Sequence, residues 1–132
     1  MRNYCYFAAA AAALMCASCK STSALSNQAY TLTELNGTEL KKVEATPSIS
    51  FTGNRVNATV GCNQIFAEYK VEKNGKIAFS MPGMTRMMCH EEMREQEFVV
   101  AFNKVAGYQL SADGSEVSFL DAQGKVLFKA KK

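Results

Sequence analysis

Two cysteines, one histidine and one arginine in the stretch from Cys62 to His90 are the residues whose types could do chemistry. A thiolate beside an imidazole is the pairing of a cysteine nucleophile with its base, and Cys89 is followed directly by His90. Adjacent side chains usually point apart, so this pair lacks the convergence that a nucleophile and base need. A zinc site would draw on Cys62, Cys89, His90 and a carboxylate, but the short paired spacings that make zinc motifs specific are missing. Arg86 is a cation among Met81, Met84, Met87, Met88 and Met93. It either reads an anionic ligand or hydrogen-bonds loop carbonyls or a carboxylate and fixes the entry of the next element. The methionines admit two readings as well, an adaptable surface for an apolar ligand or peptide, or irregular core filling. The chain has no glycine-rich phosphate loop, nucleophile elbow or metalloprotease signature, so it reads as a protein without catalytic residues, metal or cofactor.

The start of the chain offers the cysteines a different use. Arg2 precedes an apolar run from Tyr4 to Met15 that contains six consecutive alanines, which is a secretory signal over residues 1–18 and too short for an ordinary membrane span. Leu14-Met15-Cys16-Ala17-Ser18-Cys19 resembles a bacterial lipobox with Cys19 as the lipid acceptor. Cys16 is the alternative acceptor, and ordinary cleavage near Ser18 would release a free secreted protein. Of the five cysteines, Cys5 and Cys16 leave with the signal and Cys19 takes the lipid, so Cys62 and Cys89 remain as an even pair in an oxidising compartment. Joined, they close a loop whose chain-entropy contribution is roughly 3 to 4 kcal/mol. Two reduced, buried cysteines are the other reading.

The elements that must position these residues are mostly strands. With 132 residues, 48% apolar composition and 20% charge, the chain has the makings of one globular domain. Residues 19–28 are rich in Ser, Asn and Ala without an apolar period and read as a flexible tether of roughly 15 to 18 Å reach. The folded domain is expected over residues 29–132. Tyr30 and Leu32 lead into an Asn36-Gly37 turn, and Leu40 to Val43 suggests a short second strand. Ile49 and Phe51 alternate with Ser and Thr, Gly53-Asn54 turns the chain, and Val56, Ala58 and Val60 share one face. Gly61-Cys62-Asn63 is a turn that feeds a strand through Ile65, Ala67 and Tyr69. Asn74-Gly75 predicts a hairpin returning through Ile77 and Phe79.

The period of two then stops at the methionines. A helix is expected with Glu91 and Glu92 in its first turn, a stripe of Met93, Phe98, Ala101, Phe102 and Val105, and a close at Lys104 and Gly107. Tyr108 to Ala112, Val117 to Leu120 and Val126 to Ala130 follow as strands, separated by turns at Asp113-Gly114 and near Gly124. About eight strands and one helix predict a mainly β (α+β) fold, a partly open antiparallel barrel with the helix packed on it, because closure removes exposed edges. Charge is near neutral, with a net +3 over the whole chain and no basic stripe with interleaved aromatics, so nucleic acid is not an expected partner.

Gly61-Cys62-Asn63 with Tyr69, then Met84-Thr85-Arg86-Met87 with Cys89, and Met93, Glu97 and Phe98 occur in the order and spacing of a known family. On these residues the chain resembles the META domain, as found in heat-inducible bacterial outer-membrane lipoproteins, from about Tyr30 to Lys129. Tyr30 stands where that family usually has Trp, Ala67 where Gly is common and Met88 where a small residue is common. The resemblance implies a partly open barrel with one packed helix, similar to lipid-binding pilotins that chaperone secretion-system proteins. It implies architectural roles for Gly61, Asn63, Tyr69, Thr85, Arg86 and Met87, and a place in envelope stress or secretion. The expected partners are the membrane, through the lipid on Cys19, and another envelope protein or an apolar ligand. The expected location is the cell envelope, on the periplasmic side of the outer membrane.

Overall fold

In the computed structural model, which describes residues 24–90 and 93–132, the alternating segments become strands. They are β1 (Ala29–Leu35), β2 (Thr38–Glu39), β3 (Ser48–Thr52), β4 (Arg55–Thr59), β5 (Ile65–Val71), β6 (Ile77–Phe79), β7 (Gly83–Met84), β8 (Gly107–Leu110), β9 (Glu116–Leu120) and β10 (Val126–Lys131), with the helix α1 (Glu95–Asn103) between β7 and β8. Eight of them form one antiparallel path in the order β6-β5-β4-β3-β1-β10-β9-β8, while β2 adds to β1 and β7 adds to β5. The path nearly closes on itself. A single antiparallel bridge joins Lys76 to Gly107, and the Ile77 N–H donates to the Ala106 carbonyl at 3.2 Å. That seam is tight, since a Cβ on Gly107 would lie 3.2 Å from the Gly75 carbonyl oxygen. The expected mainly β barrel with one packed helix is therefore what the chain forms.

Period-two patterning decides which side chains fill the barrel. Ile49 and Phe51 of β3, Val56 and Ala58 of β4, and Val117 and Phe119 of β9 all turn inward and are buried. Their rings form a continuous aromatic core: Phe51 and Phe119 are 6.1 Å apart between centroids, Phe119 and Phe128 are 4.9 Å apart, and Phe128 and Phe98 are 4.9 Å apart. Phe98 and Phe102 come from α1, and Phe102 stacks at 4.5 Å on Phe79 of β6. The helix thus covers the barrel by burying its apolar stripe against β6, at one end of the strand path, and against β10 within it. Burial of a phenylalanine of this kind contributes roughly 1.5 to 3 kcal/mol.

Several expectations are corrected. The tether expected over residues 19–28 does not remain free to its far end, because Leu25 is buried in the core and the Gln28 carbonyl accepts from the Phe51 N–H at 2.9 Å. The strand expected at Leu40 to Val43 is replaced by β2 at Thr38–Glu39, directly after the Asn36-Gly37 turn, where the Leu40 N–H reaches the Thr33 carbonyl at 2.9 Å. Within the methionine segment, where no strand was expected, β7 pairs with the start of β5. The helix begins at Glu95 rather than at Glu91, since Arg94 takes a left-handed φ of 57° that cannot lie inside a right-handed helix. It also ends at Asn103, and Gly107 opens β8 instead of closing α1. The signal over residues 1–18, the acceptors Cys16 and Cys19, and Glu91 and Glu92 lie outside the described residues.

Tyr30 enters the core through the same alternation, with its ring edge-on to Phe51 at 6.4 Å. Its hydroxyl is buried and finds no hydrogen-bond partner among the described residues. Burial, with a smaller contribution from Tyr108, pushes that hydroxyl above the ordinary tyrosine range.

Candidate functional site

Of the residues singled out by type, Cys62 and Cys89 meet at the turn between β4 and β5. Gly61 is buried there with φ of 121°, and a Cβ at this position would meet the Ala45 carbonyl oxygen at 2.9 Å, so only glycine fits. Cys62 and Cys89 form a disulfide with Cα atoms 6.0 Å apart. The bond ties the β4–β5 turn to the segment that leads into α1. Cys89 therefore has no thiolate for nucleophilic attack.

Asn63, buried next to the bridge, organises the same junction through both ends of its amide. Its Oδ1 accepts from the Met87 N–H at 2.6 Å and from the Thr85 hydroxyl at 2.9 Å. Its Nδ2 donates to the Met87 carbonyl at 3.0 Å and to Glu95 Oε1 at 2.8 Å. The Asn63 backbone N–H adds a bond to Glu95 Oε2 at 3.1 Å, and the Gln64 N–H donates to the Thr85 hydroxyl at 2.9 Å. A buried amide has two donors and an acceptor that takes two bonds, and here each is used. The cluster joins β5, the segment Thr85 to Cys89 and the first turn of α1.

The remaining candidates separate. His90 is exposed with Nε2 3.7 Å from Glu44 Oε1, and it does not face Cys89 as a base. The two bridge sulfurs and the Glu95 carboxylate lie within 4.8 Å of one another, yet sulfurs joined to each other are not thiolate ligands, and His90 is not part of that group. Arg86 is exposed and makes none of the hydrogen bonds or ion pairs found among the described residues. Tyr69 packs its ring 4.9 Å from Phe51 and, with Phe79, Asn54 and Lys70, borders a surface groove of about 460 Å³.

Arg94 does what Arg86 was expected to do. Its guanidinium donates to the Leu35 carbonyl at 3.0 Å and to the Thr38 carbonyl at 3.4 Å, while Nε and Nη2 grip Glu97 at 2.9 and 2.6 Å. Asn36 Nδ2 completes this clamp by donating to Glu97 at 2.9 Å. Glu97 is held below the ordinary carboxylate range by its hydrogen bond to Arg94 and then by that to Asn36. Glu97 is among the residues that carry the family resemblance, and the i, i+3 spacing at the helix start is the signal that could have found Arg94 as its partner.

The chemistry available here is cross-linking and clamping: a disulfide, a saturated buried amide and an arginine fork all fasten one helix entrance to the barrel. A family model for the META domain matches residues 23–132. Among solved structures, a protein from Burkholderia xenovorans determined by NMR is similar at 19% identity and a TM-score of 0.61, over 82% of this chain and 83% of that one. A second NMR structure is similar at 23% identity and a TM-score of 0.62, over 80% of this chain and 89% of the other. Both likenesses show the fold, and none of the curated proteins matches the chain. With most of its length matched, from just before Leu25 to its last lysine, the chain belongs to the META domain family.

Proposed function

We propose that this chain is a non-enzymatic, lipid-anchored protein of the bacterial cell envelope, held through Cys19 on the periplasmic side of the outer membrane, that binds or protects another envelope component during envelope stress. The observation that carries this reading is the Cys62–Cys89 disulfide, a bond that persists in oxidising compartments and is rare in the cytosol. Family membership supports an envelope-associated protein, and the lipobox-like run ending at Cys19 supports the anchor. The candidate site supports the non-enzymatic part, because its polar side chains are spent on one another.

A second reading is a pilotin-like carrier or chaperone for an acyl chain or an apolar peptide. The exposed side chains of Met81, Met87 and Met88 favour the peptide form of it. An acyl chain inside the barrel is disfavoured by the phenylalanines that occupy that space.

One set of preparations tests both readings. Wild-type protein and a Cys19→Ser variant are expressed with the leader intact, fractionated and weighed by native mass spectrometry. The anchored reading expects wild type in the membrane fraction with the added mass of acyl chains and the variant in the soluble fraction without it. Identical mass and fractionation of the two would overturn it, and absence of any copurifying peptide or acyl chain from the soluble variant counts against the carrier.

A further inference from the structure

We propose that Met81, Met87 and Met88 form an oxidation site of this protein, where a peroxide transfers one oxygen atom to each exposed thioether while the fold stays intact. Their exposures are 91%, 58% and 98%, against 1% for Met93 only a few residues further on. Five of the chain's seven methionines fall in the span from Met81 to Met93, so the segment concentrates the most readily oxidised side chains left once Cys62 and Cys89 are paired.

The backbone beneath these side chains is already fastened. Met87 is held through both its N–H and its carbonyl by Asn63, and the disulfide follows at Cys89. Met81 follows Ser80, whose N–H donates to the Glu68 carbonyl at 2.9 Å, and lies two residues before Gly83 of β7, which pairs with Phe66 of β5. No local opening is needed for the three sulfurs to meet an oxidant, and none of them packs in the core, so a sulfoxide there displaces nothing. Met93 differs on both counts, being sealed beneath the helix entrance.

In each transfer a sulfur lone pair attacks one oxygen of the peroxide and the O–O bond breaks. For hydrogen peroxide the products are one sulfoxide and one water, with sulfur losing two electrons and the peroxide gaining them. The product is polar, so the segment changes from an apolar surface to a hydrophilic one, and sulfoxide reduction by a dithiol-dependent reductase restores it. This goes beyond the envelope reading above and does not depend on Cys19.

The test treats the folded protein with hydrogen peroxide and maps the products after trypsin, which cuts at Lys76, Arg86 and Arg94 and so separates Met81 from Met87 and Met88. Met81, Met87 and Met88 should oxidise at rates near that of free methionine. Met93, reachable only through opening, should lag by about tenfold or more. Circular dichroism and the melting temperature of the triply oxidised protein should match those of the untreated one, and a Met81→Leu/Met87→Leu/Met88→Leu variant should consume about three fewer equivalents of peroxide under the same conditions. Oxidation of Met93 as fast as Met88, protection of the three exposed sulfurs, or loss of the fold on their oxidation would each overturn the proposal. Because Met93 reports unfolding directly, a variant that fails to fold is recognised as such.

Discussion

At the level of single residues, Asn63 matters more than any of the side chains with reactive groups. A buried primary amide between two backbone segments and a carboxylate satisfies donors and acceptors that would otherwise lose water without replacement. Replacing it with alanine leaves the Met87 N–H and carbonyl and one Glu95 oxygen without their partner. The Asn63→Ala variant is expected to lose roughly 2 to 4 kcal/mol of unfolding free energy, read from urea denaturation, since several hydrogen bonds vanish at once and one partner is charged. A loss below about 0.5 kcal/mol would show that water replaces the amide freely and that the cluster does not hold the junction. The amino-acid types around Cys62 announced a turn, but not this role. Asparagine in a Gly-Cys-Asn turn is usually used locally, and its six bonds here go to residues more than twenty positions away.

At the level of elements, the disulfide and the Arg94 clamp act on the same object from two sides. The helix α1 spans nine residues, short for independent stability, so it depends on tertiary contacts at its entrance and along its apolar stripe. The bridge links the β4–β5 turn to the segment before α1 across a separation of 27 positions. In the unfolded chain it removes loop entropy worth roughly 3 to 4 kcal/mol, and in the folded chain it holds the entrance against the barrel. A Cys62→Ala/Cys89→Ala variant is therefore expected to melt lower by a margin of that size while keeping the strand spectrum by circular dichroism. Equal stability of the variant and the oxidised wild type would mean that Asn63 and Arg94 suffice for the junction. Strand boundaries followed the periodicity well from β3 to β6, where Ile49, Phe51, Val56, Ala58 and Ile77 turn inward and are buried. The helix start was misplaced because acidic residues in a first turn are a weak signal beside the left-handed Arg94, which no propensity marks.

For the whole molecule, acid response follows from carboxylates dispersed over the surface rather than from the core. Asp113 is lowered to about 2 by the Ser115 N–H and hydroxyl and by the Ser111 hydroxyl, at the turn between β8 and β9. Glu97 is lowered by Arg94 and Asn36 at the entrance of α1. Both folded values lie below the unfolded ones, so the stability they contribute is present above the ordinary carboxylate range and is lost as pH falls through the folded values. The melting temperature should be nearly flat from neutrality to about pH 5 and then decline, and Asp113→Asn should flatten the part of that decline between pH 3.8 and about 2. An unchanged acid limb in the variant would remove Asp113 from the account.

The sequence alone determined the kind of molecule. Alternation of apolar residues with Gly and Asn turns is enough to specify strands and their inward faces, and the order Gly61-Cys62-Asn63, Tyr69, Met84 to Met87, Cys89 and Phe98 is enough to identify the family, because both signals are local or depend only on spacing. Only the tertiary structure decided how the barrel closes at Gly75 and Gly107, that Cys62 and Cys89 meet, that Arg94 rather than Arg86 grips the helix entrance, and that Leu25 belongs to the core. Each of these is a contact between residues distant in sequence, fixed by the stagger and curvature of the sheet, and local patterning carries no record of either.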